Sequence, residues 1–155
     1  MLFPELPDSS KVWLYQSNRQ VSNEEVQSIS LELQHFISQW NSHGEKLNAA
    51  AKFLNPFFIA VVVDESQLLA SGCSIDKSVK FIQDIQVEYN IDFFNRMLLT
   101  IVSENGIKQY EIADLKKNKN LKDIVFFDPL IQNLGELRTN WIKKIIDSNY
   151  SRLFI

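Results

Sequence analysis

The chain has 155 residues, 45% of them hydrophobic and 23% charged, with only four Gly and four Pro. That composition excludes disordered and fibrous classes, and a domain of this length removes roughly two-thirds of its unfolded surface from water without needing staples. The formal net charge of -3 argues against a nucleic-acid surface, whose affinity comes from Lys and Arg neutralising phosphates.

Residues 1 to 10 carry Pro4 and Pro7 among polar neighbours and read as a loose lead-in to one domain over residues 11–155. "KVWLYQS", from Lys11, alternates Val12 and Leu14 with Trp13 and Tyr15, and its branched and aromatic side chains predict a first strand. In "SNEEVQSISLELQHFISQWNSHG", Val26, Ile29, Leu33, Phe36, Ile37 and Trp40 recur at helical spacing. They make one apolar stripe, which predicts a helix opened by a Ser22–Glu25 capping box and ended by Gly44.

"KLNAAAKFL" suits a strand or a short helix, with the following Pro56 favouring the strand. "FFIAVVVDE" has no polar break and is rich in branched side chains, as a central strand covered on both faces should be. Asp64 to Gln67 reads as a turn and "LLASG" as a returning strand. "SIDKSVKFIQDIQVEYN" places Val79, Ile82, Ile85 and Tyr89 at helical spacing, with Ser74 or Asp76 as the cap.

"MLLTIVSENGIKQYEI" predicts a hairpin turning at Asn105-Gly106, both positions taking positive φ. "ADLKKNKNLKD" reads as a loop with one helical turn, and "IVFFDP" as a short strand stopped by Pro129. In "ELRTNWIKKIIDSNY", Trp141, Ile142, Ile145 and Ile146 share one face of a predicted C-terminal helix. Tight turns between strands imply an α+β fold, with a mixed, mostly antiparallel sheet and about three amphipathic helices packed on it. If the helices cover one face only, the other is solvated or buried against a second copy, which leaves a homodimer open.

Three stretches, "VWLYQSNR", "QWNSHG" and "VDESQLLASGCSIDKSVKFI" followed by "IDFFNR", resemble a family of small, uncharacterised bacterial proteins, common in Bacteroidetes and often called ABC transporter ATPases. The resemblance spans nearly the whole chain and implies a family, not an activity. An ATPase of that kind needs a G-x-x-x-x-G-K-S/T loop whose amides cradle phosphates, and none of Gly44, Gly72, Gly106 or Gly135 begins one.

The lone cysteine, Cys73, follows Gly72 just before a predicted helix. There, free amides and the helix dipole would favour a thiolate nucleophile, with His43 as base and Asp64 or Asp76 orienting it. The competing account is that free cysteine packs as a small hydrophobe. Without any chemistry, Ser71, Gly72, Ser74 and Asp76 at the same corner could hold a phosphate or carboxylate, or merely cap the helix.

His35 and His43 stand about two helical turns apart, too far to chelate one ion from one helix, so no metal and no cofactor is expected. Lys116, Lys117, Lys119 and Lys122 lack interleaved aromatic side chains and read as a solvated loop. The longest apolar run, Phe57 to Val63, is far short of the roughly 18 residues that span a bilayer. One cysteine cannot close an internal disulfide, and "MLFPELPDSS" lacks a secretion signal, so a reducing cytoplasm is expected.

The reading with the fewest coincidences is a cytoplasmic binding or interaction domain taking a small anionic ligand at residues 71–76. The alternative is a cysteine-dependent enzyme using Cys73 and His43.

Overall fold

The computed structural model describes residues 1–118 and 120–154, so Lys119 of the lysine-rich loop lies outside the described residues. The chain begins with β1 (Lys11–Gln16), α1 (Asn23–Gln39), the short pair β2 (Asn41–Ser42) and β3 (Glu45–Lys46), β4 (Asn48–Asn55) and β5 (Phe58–Asp64). There follow α2 (Gly72–Tyr89), β6 (Leu98–Ser103), β7 (Gly106–Glu111), α3 (Ile112–Leu115), β8 (Val125–Phe127), α4 (Leu134–Asn140) and β9 (Ile142–Lys144). The α+β class holds, and every strand pair among the described residues is antiparallel, in three ladders ordered β1-β5-β4, β2-β3 and β7-β6-β8-β9.

β5 is the centre of the fold because its residues alternate between two apolar layers. Ile59, Val61 and Val63 pack with Ile29, Leu33 and Ile37 of α1 and Ile82 and Ile85 of α2. Phe58, Ala60 and Val62 face the opposite layer, with Phe3, Leu6, Phe127, Leu134 and Trp141. A strand buried on both sides carries an unbroken apolar run. Since the chain covers both faces of this sheet itself, the open face that would call for a second copy is not found there. A third cluster, with Leu99, Ile101, Phe126 and Ile145, lies under the four-stranded ladder.

Residues 1 to 10 hold no helix or strand, yet they are fastened rather than loose. The Arg138 guanidinium, on α4, donates to the carbonyls of Leu2, Phe3 and Leu6 and pairs with the Asp8 carboxylate. Phe3 and Leu6 are buried in the layer they help to form.

α1 starts at the expected capping box: the Glu25 N–H donates to the Ser22 hydroxyl at 3.2 Å, and the Glu25 carboxylate accepts the Ser22 N–H at 3.0 Å. Arg19 adds a two-pronged ion pair to the same carboxylate, at 2.8 and 2.9 Å. The Arg19 hydrogen bonds, then those from Ser22, hold the Glu25 carboxyl down at about 2, against an ordinary 4.5. A depressed folded-state pKa stabilises above the unfolded value, and that contribution fades as pH falls through the folded one. The stability advantage of the wild type over Glu25→Gln, read from urea midpoints, should therefore be full at neutral pH, shrink below about pH 4.5 and vanish near pH 2. An advantage that persists unchanged at pH 2 would contradict it.

Four local expectations are corrected. α1 ends at Gln39 and not at Gly44. The chain turns instead through the β2–β3 hairpin, whose corner residues His43 and Gly44 take φ of 52° and 83°. Positive φ at both corners is the geometry that matches strand twist in a two-residue hairpin.

"LLASG" is not a strand. Its loop is closed by side chains, the Glu65 carboxylate accepting the Ala70 N–H at 2.8 Å and Asp64 accepting the Ser66 N–H at 3.0 Å. The β6–β7 hairpin is present, but Gly106 alone is left-handed, at φ 106°, and pairs with Ser103. The corner is therefore Glu104–Asn105 with a glycine after it.

The predicted C-terminal helix is only α4. Beyond Trp141 the chain becomes β9, pairing Ile142 with Phe127 and Lys143 with Phe126.

Candidate functional site

The residues singled out in the sequence fall at the start of α2. Ser71, not Ser74 or Asp76, is the cap, its hydroxyl accepting the Ser74 N–H at 3.1 Å. Gly72 opens the helix, so Cys73 sits inside its first turn, exposed, rather than ahead of it. Ser74 is buried and donates its hydroxyl to the Asn41 carbonyl at 2.7 Å, while its own carbonyl accepts the Trp40 indole N–H at 2.8 Å. Those bonds tie the β2–β3 hairpin to α2.

The structure thus brings the hairpin that carries His43 to the corner that carries Cys73. Both side chains are exposed, and no hydrogen bond joins them among the described residues. Asp64 does not orient His43: its carboxylate accepts from Ser66 and from the Asn48 side chain at 3.3 Å, and the Ser66 bonds hold its pKa below the usual range. Asp76 is exposed on the first turns of α2.

A different site emerges along β1. Ser17 donates its N–H to Phe57 beside β5, whereas Val12 donates to Gln132 on the opposite side at 2.9 Å. Successive strand residues alternate direction, so Val12, Leu14 and Gln16 all turn their main-chain groups away from β5. Segment 129–132 runs beside β1 only at its beginning, through Val12 and the Lys11–Asn133 bridge. It then departs, because the Asp128 carboxylate captures the Leu130 N–H at 2.9 Å in a tight turn. Leu14 is left with its N–H and C=O unpaired among the described residues.

In the gap lies a cleft of about 660 Å³, bounded by β1, α2, loop 93–98 and segment 129–132. Its volume is within the range of small-molecule sites. Its floor is rigid. The Gln16 side chain, buried, donates to the Leu98 carbonyl at 2.9 Å and accepts from the Thr100 hydroxyl at 2.8 Å. Gln109 bridges Thr100 and the Ser17 carbonyl, at 3.0 and 2.6 Å, which welds the two larger sheets together.

Two groups give the cleft its electrostatic character. Arg96, exposed at the mouth of the cleft, is the one charged residue lining it and forms no ion pair among the described residues. The Tyr150 phenol also faces the cleft. Burial first, then the Asp128 carboxylate, push its pKa up to about 12 despite the opposing pull of Arg96. It is therefore a neutral donor at ordinary pH, and its hydroxyl has no partner among the described residues. The rim is apolar, with Phe94 and Leu130 39% and 49% exposed.

Sequence reasoning missed this site because its walls come from five separate segments without a motif. The available signal was "FFNRM", an arginine among large apolar residues outside any predicted element. A second, open groove of about 470 Å³ runs between α1 and α2, lined by His35, Phe36, Trp40, Asn41, Lys77 and Phe81. Phe36 and Phe81 stack there with centroids 4.7 Å apart.

Among the described residues no group of three or more His, Cys, Asp or Glu could hold a metal ion. No helix among them is long and apolar enough to cross a membrane. Gly44 and Gly106 serve hairpins, Gly72 opens α2 and Gly135 lies in α4, so none forms a phosphate-cradling loop. No family model, curated protein or solved structure matches this chain.

Proposed function

We propose that this chain is a non-enzymatic binding domain that takes an anionic ligand in the cleft along β1. The observation that carries the reading is the unpaired main chain of Leu14 opening onto a cavity whose one charged lining residue is Arg96. Leu14 is half-buried, and a strand edge left open beside a cleft offers a row of main-chain donors and acceptors for a ligand to pair with. A guanidinium without a carboxylate favours an anion as that ligand. The corner at residues 71–76 offers less, since the Ser71 and Ser74 hydroxyls already serve the helix cap and the hairpin.

Titration of the ¹⁵N-labelled protein with benzoate, as a generic carboxylate, and with inorganic phosphate tests the reading. Saturable shifts at the Leu14 and Gln16 amides and the Arg96 Nε–H, weakening with added salt, are expected. Shifts confined to other parts of the molecule, or none, would overturn it.

A Cys73–His43 enzyme draws on the exposure of Cys73. Under the binding reading the native thiol alkylates less than tenfold faster than the same cysteine in the urea-unfolded chain, because the helix start is its one activating feature and no base is hydrogen-bonded to it among the described residues. A native rate tenfold or more above the unfolded rate would restore the enzyme reading. We place the protein in a reducing cytoplasm, which suits one exposed thiol.

A further inference from the structure

We propose that the ligand of the β1 cleft is an extended peptide ending in a free carboxylate, added to the sheet as a strand parallel to β1. This inference rests on the anion-binding reading above and adds the class of ligand.

The main chain supplies the first argument. Leu14 and Gln16 turn their N–H and C=O groups into the gap, as the Val12 N–H bond to Gln132 shows by alternation. Two such residues match a ligand of about four residues in extended form. A round or purely ionic molecule has no use for a donor and an acceptor repeated at strand spacing, whereas a second polypeptide pairs with both.

Direction follows from where the charge lies. Loop 90–97 is fastened to the Gln16 end of β1: the Asn18 N–H donates to the Asp92 carbonyl at 2.9 Å, and the Gln16 side chain holds Leu98. The loop that carries Arg96 is thus anchored at both its ends, Asp92 and Leu98, to the exit of β1, while segment 129–132 meets the strand at its entrance. A peptide whose carboxylate meets Arg96 runs in the same sense as β1. The Tyr150 hydroxyl, protonated and without a partner among the described residues, is a second donor lining the cleft. With Arg96 alone charged among the lining residues, the complementary terminus is an acid and not an amine.

The walls supply the side-chain preference. Strand residues alternate faces, so successive ligand side chains would meet Phe93, Phe94 and Val79 on the helical side and Leu130 and Ile131 on the other. Apolar side chains at alternate positions fit both.

The test uses the ¹⁵N-labelled 155-residue chain with a library of acetylated tetrapeptides bearing apolar residues and a free carboxylate, beside the same library amidated. The free-acid library is expected to shift the Leu14 and Gln16 amides, and both amidation and Arg96→Gln should weaken binding about three- to fivefold, the worth of a charge pair at an exposed arginine. Equal binding of the two libraries would overturn the inference. If benzoate or phosphate shifts the cleft resonances and neither library does, the anion-binding reading stands and the peptide falls. If neither anions nor peptides perturb the cleft, both fall. If the Leu14 and Gln16 signals change with protein concentration alone, a second copy occupies the edge and the peptide inference is overturned.

Discussion

Replacing Lys143 by methionine is expected to cost roughly 3–5 kcal/mol of folding stability, the range found when one member of a buried ion pair is removed. Lys143 Nζ donates to the Asp128 carboxylate at 2.9 Å, and the two side chains are only 11% and 7% exposed. The other Asp128 oxygen is occupied by the Leu130 N–H. Without Lys143 the carboxylate stays buried and uncompensated, whereas the pair Lys143→Met with Asp128→Leu removes both charges and should recover a good part of the loss. Urea unfolding of the two variants measures this. A single-variant loss below about 1 kcal/mol would show that water reaches the pair.

Phe58→Ala should be comparably damaging, at about 3–5 kcal/mol. Phe58 is fully buried, at the start of β5, with its ring 5.2 Å from Trp141 in an edge-on arrangement and 5.9 Å from Phe127. Truncation loses the transfer energy of the ring, leaves a cavity, and breaks aromatic contacts worth about 0.5–1.5 kcal/mol each. Phe58→Leu keeps most of the volume and should cost much less. Equal losses for the two would mean that the aromatic cluster, not the volume, decides. Tryptophan emission in a Trp13→Phe, Trp40→Phe background, where Trp141 is the remaining indole, reports the local change during the same urea experiment.

The parts of the fold legible in the sequence are those where one local cause dominates. The stripe from Val26 to Ile37 and the Ser22–Glu25 box predict α1, and the unbroken run in β5 predicts a strand covered on both faces, as found. The failures occur where two periods fit the same residues. Trp141, Ile142, Ile145 and Ile146 suit a helix face, but pairing with β8 and the Lys143–Asp128 contact draw the chain into β9. At Gly44, glycine serves equally to stop a helix or to turn a hairpin, and the indole and hydroxyl bonds to α2 favour the hairpin.

The candidate site was less legible than the fold. Cys73 is the one cysteine of the sequence, yet uniqueness says nothing about neighbours. The β1 cleft depends on where segment 129–132 leaves the strand, which an Asp128 side chain decides more than a hundred residues away.

The Arg138 grip on Leu2, Phe3 and Leu6 has a kinetic corollary. The layer it closes joins parts of the chain separated by up to 136 positions, and pairings so remote are slow to form. During translation the first ten residues must wait unengaged until the ribosome has made α4. The α1–α2 side of the molecule can consolidate earlier, so a nascent chain would expose the Phe58 side of β5 until α4 has been made.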